Sequence, residues 1–386
     1  MKKKLLAAAV AGAFALPGAA LAQSAVTISG FFKQSFEGYK LANSAKSNAS
    51  VSGLSDDSSR IIFNVVEDLG GGLRAIAQLD IRFKPDDVQG AAAAVGGSIP
   101  SGNTWVGLQS PQWGRLVVGR LDLHYPNTES TIEAKTSLRG SSVSLLAHAR
   151  GTSGGLTHAG RVAIAGATRT QNVIHYMTPN WGGFTLAAAY SSNPTGADAD
   201  MGSGMRKGNA WQLHPMYTGP NWRIGYSWWR SKPDDTPRGG TPPVFANDQR
   251  GDRLHGHYRW GTFQLGFAWD KSKVRNHATG VQLSDRTAWS IPASYTWGPH
   301  EVHAHYTRAR DDKATPGVAD GAKMFAIGYA YNLSKRTSVG VSYARINNDT
   351  GAAYNFFTAG TLGLANAGIA GGEDPRLWAV TLRHAF

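Results

Sequence analysis

Apolar and polar residues alternate with a period of two along most of the chain. Phe263, Leu265, Phe267 and Trp269 share one face, with Gln264, Gly266, Ala268 and Asp270 on the other, and Val339, Val341 and Tyr343 oppose Ser338, Gly340 and Ser342. A period of two marks strands with one apolar face. The same ladder closes the chain, through Trp378, Val380, Leu382 and His384 to a terminal Phe386.

Sixteen strands are predicted, at about 25–41, 58–69, 73–83, 103–110, 115–121, 170–178, 184–193, 208–218, 222–232, 250–260, 262–274, 285–297, 300–311, 322–333, 337–348 and 375–386. Tight connections such as Gly70-Gly71-Gly72, Asn180-Trp181-Gly182-Gly183 and Gly298-Pro299 supply hairpin turn residues. Longer polar stretches, at about 42–57, 84–102, 122–169, 194–207, 233–249, 275–284, 312–321 and 349–374, alternate with them. Short turns at one end and long loops at the other are the asymmetry of a transmembrane β-barrel, with the turns and both termini periplasmic. Aromatics near strand ends, among them Trp222, Tyr258, Trp260, Trp297, Tyr331 and Trp378, fit interfacial girdles.

The amino terminus agrees with that destination. Lys2 to Lys4, the apolar run Leu5 to Leu16 and Ala20-Leu21-Ala22 form a signal peptide, 1–22, with cleavage after Ala22 and a mature barrel over 23–386. No second apolar run nears the roughly 20 residues of a spanning helix. Only a closed barrel then places this chain in a bilayer. The hydrophobic content of 41% fits a polar, water-filled interior.

With no cysteine, disulfide scaffolds and thiol nucleophiles are excluded. The formal charge of +13 could serve nucleic acid, anionic lipid or anionic solutes. An exported chain whose arginines are scattered through strands is no nucleic-acid binder. No Gly-x-Ser-x-Gly elbow or phosphate cradle appears, so no enzyme and no cofactor is expected.

Ser59-Arg60 through Glu67-Asp68-Leu69-Gly70-Gly71-Gly72-Leu73-Arg74-Ala75 resembles the Gram-negative general diffusion porins of β-proteobacterial type. So do Val26 to Gly30, Trp105 to Leu108, Leu116 to Arg120, Gln171-Asn172 to Phe184, and Asn332-Leu333-Ser334-Lys335-Arg336-Thr337. The resemblance implies a homotrimer in the bacterial outer membrane, among outer-membrane lipid and lipopolysaccharide. It also implies an inward-folded third loop, here 122–169, that constricts the pore, and a terminal aromatic, Phe386, that is read during assembly. The chain departs from the family at Lys33, where an acidic residue is usual, and at Asn64, where a basic one is.

Alternation assigns Lys33, Arg60, Arg74, Arg82 and Arg120 to one lumenal wall, and family position adds Arg169. Asp122, Glu129 and Glu133, in the first part of the inward loop, are expected to face that wall. The basic excess should favour anions, since rings of Arg or Lys line anion pores. The pairs His255/His257 and His303/His305 invite a metal reading, but nothing completes a site, and wet lumenal histidines are expected with no metal. The reading is therefore a passive, anion-preferring porin for small hydrophilic solutes, with a substrate-specific channel for a carboxylate or phosphate metabolite as the alternative.

Overall fold

The computed structural model describes residues 25–46, 49–85, 102–124, 135–146, 156–158, 161–162, 169–194, 199–200, 204–205, 208–232, 247–356 and 369–386. The signal segment 1–22, Glu129 and Glu133 lie outside them.

The strands are β1 (Ala25–Ala42), β2 (Ser50–Asp56), β3 (Arg60–Gly70), β4 (Leu73–Arg82), β5 (Thr104–Ser110), β6 (Gly114–Leu121), β7 (Leu156–His158), β8 (Arg161–Val162), β9 (Thr170–Met177), β10 (Phe184–Ser191) and β11 (Ala199–Asp200). They continue as β12 (Gly204–Met205), β13 (Asn209–Thr218), β14 (Trp222–Lys232), β15 (Asn247–Trp260), β16 (Phe263–Asn276), β17 (Gln282–Trp297), β18 (His300–Ala309), β19 (Ala322–Asn332), β20 (Thr337–Asn348) and β21 (Asp374–Ala385). Pairs β7–β8 and β11–β12 are separate two-stranded sheets; the other strands form one antiparallel sheet.

Along β1, β2 pairs with Gln34 to Lys40 and β3 with Ala25 to Phe31, so the two lie end to end as one broken stave. Counted that way the barrel has sixteen staves. It closes where β1 pairs with β21 from Phe31 to Ala42. The expected loop over 42–57 therefore needs correction, because Ser50–Asp56 is strand. Its serine-rich sequence hides the alternation that would have announced it. The break after it is built by Asp56, whose carboxylate accepts from the amides of Ser58 at 2.9 Å and Ser59 at 3.0 Å, with Ser58 at φ 69°.

The barrel is apolar outside. Val26, Ile28, Phe32 and Phe36 of β1 are exposed, whereas Lys33, Ser35 and Glu37 on the alternate phase are buried. Stacked pairs Tyr217–Trp222, Trp260–Phe263 and Tyr295–Trp297 sit beside the short turns, as interfacial aromatics do. No helix among the described residues is long and apolar enough to cross a membrane. The strands make the crossing. At Gly70, Gly71 and Gly72 the β3–β4 turn runs at φ 86°, 60° and 81°, the left-handed region glycine tolerates.

Apolar side chains also gather inside. Tyr39, Leu41, Leu377, Ile346 and Met324 of the wall pack with Leu145 and Leu146 and with Tyr354 and Phe356 from the loop before β21. Leu145 and Leu146 thus have a hydrophobic seat inside the barrel.

The carboxy-terminal residue completes the seam. The Phe386 amide donates to the Gly30 carbonyl at 3.1 Å, the Gly30 amide donates back at 3.3 Å, and the ring centroid lies 6.1 Å from that of Phe32. Deleting Phe386 removes both hydrogen bonds at the closing edge. Folded yield in lipid vesicles should fall well below wild type, read as the fraction resisting unfolding on an unheated gel, and equal yields would refute this.

Candidate pore site

The break between β2 and β3 presents Arg60 to the lumen. Its Nε donates to the Ser58 carbonyl at 3.1 Å, and its guanidinium lies 4.9 Å over the Phe31 ring. Arg383 of β21 stands 4.9 Å over the same ring, so two cations meet one aromatic ring. Arg82 pairs across from Arg60 and reaches Asp80 at 3.2 Å and Asp122 at 3.9 Å, and Arg60 itself is 3.9 Å from Asp80. Arg120 donates from Nε to the Arg169 carbonyl at 3.2 Å, and the Arg169 amide donates to Asp122 at 2.6 Å. Arg169 adopts φ 47°, which costs on the order of 1–3 kcal/mol for a residue with a β-carbon. The Asp122 and Arg120 contacts hold it there.

Four of the predicted arginines, Arg60, Arg82, Arg120 and Arg169, thus meet around Asp80 and Asp122. Lys33 points inward on β1, beside Arg383 in register. Arg74 stands apart. It is exposed at the periplasmic start of β4, eight residues or roughly 26 Å from Arg82 at about 3.3 Å per residue. Asp122 also differs from expectation, since it sits among the arginines instead of facing them.

Facing charges exist elsewhere, with their signs exchanged. Residues 135–146 lie against the inner faces of β1, β2 and β18 to β20. Arg139 donates to both Glu37 and Ser55, Ser137 donates to Glu37 at 2.5 Å, and the Leu138 amide donates to Asp57 at 3.1 Å. Lys135 pairs with Glu301 at 2.7 Å. Wall carboxylates therefore hold loop cations. Sequence reasoning missed Glu37, Asp57 and Glu301; the signal available was an acidic residue on the inward phase of a strand, as Glu37 is relative to Lys33.

The histidines also depart from expectation. His303 and His305 are buried, not wet: Thr136 Oγ1 lies 3.1 Å from His303 Nε2, and His305 Nε2 is 2.7 Å from the Gly140 carbonyl. His255 meets His214 at 3.0 Å between Nε2 atoms. No cluster of three or more metal-ligating side chains occurs among the described residues.

At the start of the loop, the imidazole of His124 is buried with Nδ1 2.9 Å from Ser227 Oγ, while its carbonyl accepts from Arg253 at 3.2 Å. The Gln212 amide donates to the Leu123 carbonyl at 3.0 Å. The segment is thus pinned at 122–124 and at 135–146.

A sixteen-stave barrel with charges inside and a loop packed into its bore is now in view, and the family match decides what it is. The Gram-negative porin family matches residues 7–351. The chain belongs to that family. Curated relatives include outer membrane porin protein 32 of Delftia acidovorans, 28% identical over the whole of both chains, and the major outer membrane protein P.IB of Neisseria gonorrhoeae, 26% identical over 91% of this chain and 95% of that one. Among solved structures, OmpT of Vibrio cholerae in its trimer form gives a TM-score of 0.62 at 12% identity, covering 94% of this chain and 99% of that one. OmpF of Salmonella typhi gives 0.59 at 13% identity, covering 94% and 97%. This porin is an outer-membrane protein for passive diffusion.

Two outcomes follow for the loop of this porin. Replacing Glu37 with Gln leaves the buried Arg139 charge without its carboxylate, a change worth roughly 3–5 kcal/mol. Urea unfolding of the inserted barrel should show that loss, and Glu37→Leu with Arg139→Leu should recover most of it; a double variant as unstable as the single would contradict the pairing. The second outcome concerns pH. Burial, with Arg253 beside it, pushes the His124 pKa well below the usual histidine value. The unfolded chain therefore takes up this proton first, and the stability that His124 contributes is complete above about pH 6.5 and declines as pH falls below it. Between pH 7 and pH 5 the wild-type urea midpoint should drop further than that of His124→Gln, and parallel curves would exclude the effect.

Proposed function

We propose that this porin is a water-filled sieve for small hydrophilic solutes whose narrowest level prefers anions, and that it works as a homotrimer. The observation carrying this reading is the gathering of Arg60, Arg82, Arg120 and Arg169 around two carboxylates, with Lys33 and Arg383 on the adjoining strands. Wall carboxylates across the lumen do not offset the excess, since Glu301 and Glu37 are matched by Lys135 and Arg139. A low-dielectric wall focuses such a field on the channel axis. With a screening length of roughly 8 Å at physiological salt, the preference should weaken as ionic strength rises. Residues 122–169 act as the constriction loop, pinned by the contacts of His124 and of 135–146. The trimer reading leans on the trimer form of the structurally similar OmpT of Vibrio cholerae.

A second reading, a channel specific for one carboxylate or phosphate metabolite, is favoured by Phe31 between Arg60 and Arg383, an apolar step flanked by two guanidiniums. Conductance that saturates and is blocked by one such solute supports it, whereas conductance linear in salt supports general diffusion.

Replacing Arg60, Arg82 and Arg120 together with Ser should lower the chloride-to-potassium permeability ratio. The reversal potential across a planar bilayer under a potassium chloride gradient measures it, and an unchanged potential would remove these residues from the selectivity step.

A further inference from the structure

Two inward histidines from strands that are not neighbours meet over a glycine. His214 on β13 and His255 on β15 are separated by β14, yet their Nε2 atoms lie 3.0 Å apart, with ring centroids 5.2 Å apart and planes inclined at 41°. The strand between them makes the meeting possible. Gly225 of β14 lies directly across from His255, and a β-carbon there would come within 2.8 Å of the His255 Nε2 and 3.0 Å of the His214 Nε2. Any side chain at 225 would part the rings. Glycine inside a strand gives up side-chain packing and marks a place where another group comes close to the backbone.

The pair is not the one that the two-residue period suggests. His257 shares the inward phase of His255 but stands roughly 6.6 Å further along β15, and its partner in register is Arg223.

An imidazole Nε2 lone pair binds first-row metal ions such as Zn²⁺, Cu²⁺ and Ni²⁺. At bonds of about 2.0–2.1 Å, two donors 3.0 Å apart subtend about 90–97° at the ion. That is the angle between neighbouring ligands of a tetragonal ion, and it is narrower than the roughly 109° of a tetrahedral one. The same two nitrogens can instead share one N–H; an ion that displaces it sends that proton to Nδ1 and leaves both Nε2 lone pairs to the metal.

The surroundings suit an exchangeable ion. Arg253, on the same inward phase as His255, has its charge met by Asp270 at 2.7 Å, and the Nε2 of buried His124 lies 4.0 Å from that carboxylate. Arg223, next to Gly225 on the inward phase of β14, adds positive charge and keeps the affinity low. No cluster of three metal-ligating side chains forms among the described residues, so water must take the remaining positions. His214 is half-buried and leaves the pair reachable from the lumen.

We infer that His214 and His255 form a two-imidazole site for a divalent first-row transition-metal ion inside the barrel, with Cu²⁺ held more tightly than Zn²⁺. The ligand angle and the order of affinities along the row both rank Cu²⁺ first. The site is independent of the ion preference proposed for the pore, because its donors are neutral.

The test uses the assembled protein in detergent at about pH 7.5, above the usual histidine value, titrated with Cu²⁺ alone and then competed with Zn²⁺. Calorimetry reads the affinity, and electron paramagnetic resonance reads the nitrogens on the ion. Wild type should hold its tightest Cu²⁺ through two imidazole nitrogens, at least about tenfold more tightly than the variant with His214→Gln and His255→Gln. His214→Gln alone should lose the same margin, and reads that loss even where the double variant does not assemble. His257→Gln should keep it. Unchanged single-channel conductance in metal-free buffer shows that each variant barrel is intact. The proposal is overturned if the wild-type spectrum shows fewer than two nitrogens, if His214→Gln binds as tightly as wild type, if His257→Gln loses the margin, or if Zn²⁺ displaces Cu²⁺ at equal concentration.

Discussion

Closure of the sheet is the constraint from which everything else follows. In hydrocarbon each backbone amide and carbonyl must find its partner within the protein, so a sheet can cross only when its first and last strands join. Here that junction is the twelve-residue register between β1 and β21, finished by the reciprocal hydrogen bonds of Gly30 and Phe386. Once the ring is shut, the pleat assigns alternate residues to lipid and to lumen. The chain must then be apolar on one phase and is free to be polar on the other, which is why 41% hydrophobic content suffices for a membrane protein of this size.

Freedom on the inner phase has an energetic cost that the structure meets by pairing. A charge taken out of water is unfavourable unless another charge or several hydrogen bonds meet it. Arg139, almost wholly buried, meets Glu37 and Ser55, and the hydroxyl of Ser137 gives Glu37 a second partner. Such pairs add specificity more reliably than net stability. In this barrel they fix where residues 137–139 come to rest against the wall. The arginines around Asp80 and Asp122 are only partly buried, and they outnumber those two carboxylates.

Legibility in the sequence followed the same division. Strands with one lipid face were readable because apolar side chains on one phase are obligatory there, and the C-terminal ladder and the strands of 263–269 and 339–343 show it directly. Ser50–Asp56 was not readable, since a serine-rich half-stave at the loop end of the barrel presents few apolar side chains. At Arg120 alternation itself breaks: Gly119 runs at φ 147° and the register shifts between Gly119 and Leu121, so the arginine's surroundings follow from the bulge and not from counting in twos. Inward histidines read as wet because their strand phase was visible while the loop that buries them was not. The loop contacts joining Glu37 to Arg139, or Lys135 to Glu301, span more than a hundred residues, and no local pattern encodes them.

Parity also explains how one residue type serves two surfaces. Lys33 and Lys40 on β1 are seven residues apart, and so are Arg376 and Arg383 on β21. An odd separation on a strand turns one member of each pair to the lumen and the other to the lipid. The register matches the pairs: Lys33 faces Arg383 within the barrel, and Lys40 faces Arg376 outside it. The two cation sets differ in their company. The inner one shares its space with Asp80 and Asp122, whereas the outer one has aromatic rings on one side and no ion pair with a carboxylate among the described residues. Composition alone, a formal charge of +13, could not have separated these roles; the two-residue period and the strand register do.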